Sequence, residues 1–227
     1  MASVTQRRER KGKGAMKGGQ VLDILRERIA AHALPPGSKL RESDLADEFG
    51  ISRARVRELF GTLERGGLIE RIPNRGAVVN RLDPKQAYEL FDIREVLEGL
   101  CVRLATKNAP VEAWQVFIDR LGDATLARVR AGDVQPYIDG IEALRVRTIE
   151  AANHALAATL LADIHDRTRV LIRRTLILPG RAEQGLKETR LYLAAMRRGD
   201  AEEAERLKRA NIRSAREWLA RYQSFVF

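Results

Sequence analysis

The chain has 227 residues, enough for two modest domains each with its own core, and a formal net charge of +10. The surplus sits at the N-terminal end: residues 1–82 carry 17 Lys and Arg against 10 Asp and Glu, whereas residues 83–227 carry 24 against 21. That balance suits a polyanionic partner. The single cysteine, Cys101 within "LEGLCVRLA", excludes a disulfide framework or a thiolate zinc finger. No run approaches the roughly 18 apolar residues of a membrane span, so a cytoplasmic protein without a membrane partner is expected.

Residues 1–18, rich in Lys, Arg and Gly with almost nothing to bury, predict a disordered basic arm that either touches phosphates or is a passive tail. From Gln20 to Ala33 the residues Val21, Leu22, Leu25 and Ile29 recur at helical spacing, and Pro35-Pro36-Gly37 ends the pattern. A second helix fits Glu42 to Phe49, with Leu45 and Phe49 inward and Gly50 stopping it. Ser52 is a good N-cap for a third, in which Val56, Leu59, Phe60 and Leu63 share one face up to Gly66-Gly67. Two helices joined by a tight glycine turn form a helix-turn-helix. "LIERIP" and "GAVVNRL" then read as two short strands joined by Asn74-Arg75-Gly76, the hairpin of a wing. Residues 19–82 are therefore expected to be a winged helix-turn-helix domain.

Asp83 before Pro84 is a cap followed by proline at the first helical position. Beyond it the pattern is helical, in six expected segments: 84–107, 111–131, 135–152, 155–177, 182–198 and 201–224. The fold class is mainly α, with a small β-hairpin wing and an all-helical bundle over 83–227.

The stretch "GISRARVRELF" has arginines at every second position. On a helical wheel of about 100° per residue, the apolar residues of this helix centre opposite Ala54, which Arg57 and Arg55 flank. A small residue between basic side chains lets a helix approach a groove floor while arginines reach phosphates or guanine edges. Which arginine takes which role is left open by the wheel.

The stretch "PPGSKLRESDLADEFGISRARVRELFGTLERGGLIERIPNRGAVV" resembles the N-terminal domain of the GntR family of bacterial transcription regulators. The resemblance implies that Arg53, Arg55 and Arg57 contact double-stranded operator DNA, that Ser52 contacts phosphate beside its capping role, and that Arg75 and Gly76 border the minor groove. With Arg41, Ala54 and Asn74 these complete the expected DNA-binding set. "YELFDIREVLEGLCVRLA", "EAANHAL" and "KETRLYLAAMRRGDAEEAERLKRANI" are similar to the FCD ligand-binding domain of the FadR subfamily, in its shorter, VanR-like variety.

Many FCD domains hold a metal through an aspartate and three histidines. Alignment puts those positions at Gly140 and Leu144, with Asp139 one place off, and at Thr189 and Asn211, so all three histidines are missing and neither metal nor cofactor is expected. Stepping by three and four from these positions adds Ile141, Thr148, Tyr192, Met196, Leu207, Ser214 and Trp218, a mixed apolar and neutral polar lining. The candidate effector-binding set is Arg94, Leu144, Thr148, Thr189, Tyr192, Asn211, Ser214 and Trp218, suited to an apolar or aromatic molecule. The same positions also describe an ordinary bundle core. Arg94 pairs either with an effector carboxylate or with Glu98 one turn away. "DIHDR", residues 163–167, reads as the charged outward face of a long helix.

No nucleophile, base or metal set for an enzyme is visible. The expected function is a homodimeric transcription regulator, a repressor, whose operator binding a small-molecule effector modulates. The alternative is an effector-independent DNA-binding protein with a degenerate ligand domain.

Overall fold

In the first third of the chain, buried apolar side chains at helical spacing build three helices around one small core, and this computed structural model describes residues 16–72, 76–81 and 83–226. The basic arm up to residue 15 and the wing-tip residues Asn74 and Arg75 lie outside the described residues. The chain divides near Asn80 into two compact units.

In the first unit, α1 (Gly18–Ala30) buries Val21, Leu25 and Ile29, and ends earlier than its apolar pattern predicts, with His32 at φ 59° beyond it. Helix α2 (Glu42–Phe49) buries Leu45, Ala46 and Phe49 and stops at Gly50, whose φ of 66° is the left-handed conformation that costs glycine nothing. Helix α3 (Arg53–Arg65) buries Val56, Leu59, Phe60 and Leu63, and the Oγ of Ser52 accepts the Arg55 backbone N–H at its start. Arg28 of α1 donates to Glu48 of α2 at 2.5 Å and lies over the Phe49 ring.

Strands β2 (Ile69–Ile72) and β3 (Gly76–Val79) form the expected antiparallel pair. A third strand, β1 (Lys39–Leu40), pairs on the other edge of β3, with Lys39 opposite Val78 and Leu40 opposite Ala77. The hairpin expected from sequence is thus a three-stranded sheet. Two residues are too few to show alternation, so β1 exists only through its partner.

The second unit is all-helical. Asp83 caps α4 (Pro84–Asn108), accepting the Lys85 backbone N–H, and α4 packs along α7 (Gln135–Ala152) and α11 (Ala201–Arg221). Helix α10 (Arg181–Arg197) packs on α11. Trp114, Leu121, Leu144, Leu186, Leu193 and Met196 lie in its main apolar cluster, all within a few percent of full burial.

Two expected long helices are broken. Residues 111–131 form a short 3-10 turn (Val111–Trp114), α5 (Gln115–Arg120) and α6 (Asp123–Arg130), separated at Gly122, where the backbone is extended. Residues 155–177 divide into α8 (Ala155–Asp163) and α9 (His165–Leu176) at Ile164. Ile164 packs against both apolar clusters of this unit, a tertiary demand that local propensity does not reveal. A final turn, α12 (Gln223–Val226), follows α11. Among the described residues no helix is long and apolar enough to cross a membrane.

Leu63 is fully buried where α3 meets the core of the first unit. Leu63→Ala should destabilise that unit by roughly 2–5 kcal/mol, read as a lowered urea midpoint.

Candidate nucleic-acid interface and effector cavity

The outward side of α3 is Arg53, Ala54, Arg55 and Arg57, all exposed, with Ser52 exposed at the cap. Val56, Leu59, Phe60 and Leu63 anchor the opposite side, so burial of the apolar face turns the arginines outward. At rest Arg57 Nε donates to Glu42 at 2.8 Å and Arg55 pairs with Glu58. Such exposed pairs contribute at most about 1 kcal/mol, so a phosphate can replace the carboxylate at little cost.

Beside this face lies a concave surface lined by Lys39, Arg41, Arg53, Arg71 and Gly76, with Glu42 the one acidic group among the described residues. It gathers three of the sequence-predicted positions, Arg41, Arg53 and Gly76. Lys39 and Arg71 were not expected there. Their signal lies in strand pairing, since Lys39 comes from β1 and Arg71 from β2, which β3 holds together. Arg71 Nη2 also donates to the Arg57 carbonyl at 3.1 Å, linking the wing strand to the helix. Four cations around one concavity can neutralise successive phosphates.

The helical unit contains a cavity of about 120 Å³ among α4, α7, α9, α10 and α11. Arg94, Leu144, Thr148, Thr189, Tyr192 and Asn211 line it, as does Ile141. Ser214 and Trp218 do not. One and two turns beyond Asn211, α11 carries them toward the second apolar cluster: Ser214 Oγ meets Arg181 Nη1 at 3.4 Å, and the Trp218 indole donates to the Pro179 carbonyl. Met196 is fully buried in the main cluster, and Leu207 packs at its edge.

The chemistry of the lining differs from the expected apolar and neutral mixture. Six lining residues are Arg or Lys, and three are Asp or Glu. Of the two pairings expected for Arg94 the structure shows the one with Glu98, to which its Nε donates at 2.6 Å, and the side chain lines the cavity. Lys208 of α11 reaches the other Glu98 oxygen at 2.8 Å and stands over the Tyr192 ring. Burial alone would raise the Glu98 carboxyl, but Arg94 and Lys208 outweigh it and hold its pKa at about 2. Arg181 pairs with Glu188 at 2.9 Å, and Asn211 Nδ2 donates to the same carboxylate. Tyr137 and Thr189 share a buried hydroxyl hydrogen bond of 3.1 Å. Burial pushes the Tyr137 phenol up to about 12, so it stays neutral.

His165, read from sequence on an outward face, lines the cavity instead. The break at Ile164 starts a new helix at His165, so the phase of a single helix from residue 155 does not apply.

The metal carried by many FCD domains does not fit these residues. Gly140 is buried, and a Cβ there would stand 2.4 Å from Cδ2 of Leu121. Leu144 has no donor atom. Thr189 already donates to the Gly185 carbonyl, and the Asn211 amide to Glu188. Among the described residues no three His, Cys, Asp or Glu side chains are grouped to hold a metal ion.

Replacing Glu98 by Gln leaves two cations facing each other without a counter-charge, which should cost roughly 3–5 kcal/mol. Because its folded pKa is depressed, the stability due to Glu98 is present above the ordinary carboxylate range and lost as pH falls toward about 2. Urea unfolding between neutral and acid pH should therefore show a smaller acid loss in Glu98→Gln than in the parent.

Residues 17–79 match the family model "Bacterial regulatory proteins, gntR family", and residues 89–214 match the FCD domain. An HTH-type transcriptional regulator from the TAR-I ttuE-ttuC' intergenic region of Agrobacterium vitis is 35% identical over 108 residues, 47% of this chain and 62% of that protein. A "Probable D-xylose utilization operon transcriptional repressor" of Paenarthrobacter nicotinovorans is 38% identical over 97 residues, 43% of each chain. The matched stretch thus spans about half the length of these curated relatives. Escherichia coli McbR/YncC shares the fold with a TM-score of 0.75 at 21% identity, over 91% of this chain and 98% of the other. A regulator from Rhodococcus sp. RHA1 does so with a TM-score of 0.70 at 20% identity, over 90% and 98%. With both family models matched in order, the chain belongs to the GntR family of bacterial regulatory proteins, its winged helix-turn-helix followed by an FCD domain as in the FadR subfamily.

Proposed function

We propose that this GntR-family regulator binds double-stranded operator DNA through α3 and the adjacent basic surface, as a cytoplasmic homodimer, and that a small-molecule effector in the helical cavity modulates the binding. The observation that carries this reading is the outward face of α3, where Ala54 sits among three exposed arginines beside a concavity with four cations. Repression is the reading favoured by relatives, since the Paenarthrobacter protein and the gluconate operon regulator of Bacillus licheniformis are named as repressors. Its role is binding, not catalysis.

The cavity favours an effector over the alternative of a degenerate domain. A bundle that had lost its ligand would gain by filling the space with apolar side chains; this one keeps charged groups around it. Of the expected effector residues, Ser214 and Trp218 drop out, and Lys208, Arg145 and His165 join. An effector acts on the DNA-binding state only through unequal affinity for two states of the protein.

The test is operator binding by the full chain, using duplexes enriched from a random pool. Arg57→Ala should weaken the enriched sequence about tenfold or more without changing the thermal midpoint, and unchanged affinity would remove α3 from the interface. Lys39→Ala should reduce the slope of log affinity against log salt by about 0.9, the share of one neutralised phosphate. An unchanged slope would place Lys39 off the backbone.

A further inference from the structure

Two carboxylates in the cavity lining each hold an arginine. On α4 and α11, Glu98 holds Arg94 together with Lys208. On α7, Glu142 holds Arg145 at 3.1 Å, and Arg145 in turn reaches the Nε2 of His165 on α9. The second group contains polar atoms that the protein leaves unsatisfied.

Thr168, one turn along α9 from His165, is 4% exposed and lines the cavity, yet its Oγ has no hydrogen-bond partner among the described residues. The Nδ1 of His165 is likewise buried without a partner there. Arg145 Nη2 lies 3.4 Å from His165 Nε2 and can only donate, so Nε2 accepts and Nδ1 carries the proton of a neutral ring. Burial first, and then the charge of Arg145, lower the His165 pKa in the same direction. Two buried donors without acceptors, beside a cavity and an arginine, are a costly arrangement unless an acceptor enters.

Arg181, also in the lining, is matched by Glu188 just outside it. At the first group Arg94 donates to Glu98 through Nε, and its guanidinium lies over the Phe91 ring. Much of the remaining lining, including Val102, Ile138, Leu161, Ile172 and Leu176, is apolar.

We propose that Arg145, His165 and Thr168 form a second anion subsite, so that the effector carries two acidic groups on a short hydrocarbon frame, one at Arg94 and Lys208 and one at this subsite. This rests on the reading of the cavity as the effector site. The incoming acid group accepts from Thr168 Oγ–H and His165 Nδ1–H beside the Arg145 guanidinium, while Glu142 keeps Arg145 in position.

The experiment is calorimetric titration of the full chain with linear dicarboxylates from succinate to suberate, with monocarboxylates of equal chain length, and with phosphoglycolate as a source in which one acid group is a phosphate. At least one doubly acidic compound should bind about tenfold or more tighter than its singly acidic counterpart. Arg145→Met, or the near-isosteric Thr168→Val should the first fail to fold, should erase that preference. Tighter binding of phosphoglycolate than of every dicarboxylate would support the subsite and assign it a phosphate. Equal binding of mono- and dicarboxylates, or a preference that survives both variants, overturns the second subsite; sensitivity of the shared affinity to Arg94→Met would then keep the cavity as effector site. Binding of none of these compounds by the parent protein overturns the subsite and the effector reading together.

Discussion

A single carboxylate, Glu98, sits where the long helix α4 meets α11, with a guanidinium from its own helix on one oxygen and a lysine ammonium from α11 on the other. Taking such ions out of water is expensive, and mutual attraction offsets that only when geometry is close and every partner is present. The arrangement therefore fixes α11 along α4 in register as well as in distance. It also decides where Tyr192 lies, because Lys208 stands over its ring. From α11 the constraint passes to α10: Arg181 reaches the Asn211 carbonyl and pairs with Glu188, which in turn receives the Asn211 amide. The cavity keeps its polar walls because these three helices are tied by charge.

That origin explains what could be read from sequence. The apolar faces of α2 and α3, the Ser52 cap and the glycine stop at Gly50 are local signals, and each is present where local chemistry puts it. The two-residue strand β1 has no such signal, and with it went the contribution of Lys39 and Arg71 to the basic concavity. In the helical unit, alignment placed Leu144, Thr189 and Asn211 on the cavity wall and stepping by turns added Ile141, Thr148 and Tyr192, but neither gave the wall's chemistry. Arg94 and Glu98 are one turn apart and visible as a pair, whereas Lys208 comes from a helix more than a hundred residues away. The misreading of "DIHDR" had a different cause: periodicity assumes one continuous helix, and Ile164 interrupts it to satisfy two apolar clusters at once.

The two units use charge in opposite ways. On the winged helix-turn-helix unit the arginines are exposed and their carboxylate partners weakly held, which suits exchange for another anion in water, where each pair contributes little. In the helical unit the pairs are buried, so an entering charge changes the balance of a network instead of swapping one contact for another. A ligand that meets such a network can favour one arrangement of α4, α10 and α11 over another, the differential affinity that any control of DNA binding requires.

The contact between Gly140 and Leu121 limits what residue 140 can hold. Many FCD domains carry a metal-binding aspartate at the aligned position; here a leucine methyl stands 2.4 Å from where a first side-chain carbon would be, so any side chain there requires Leu121 to turn aside. Leu144, Thr189 and Asn211 lack the imidazoles of the other three positions, so a metal centre in this bundle calls for new donors at four places and a repacked leucine at a fifth.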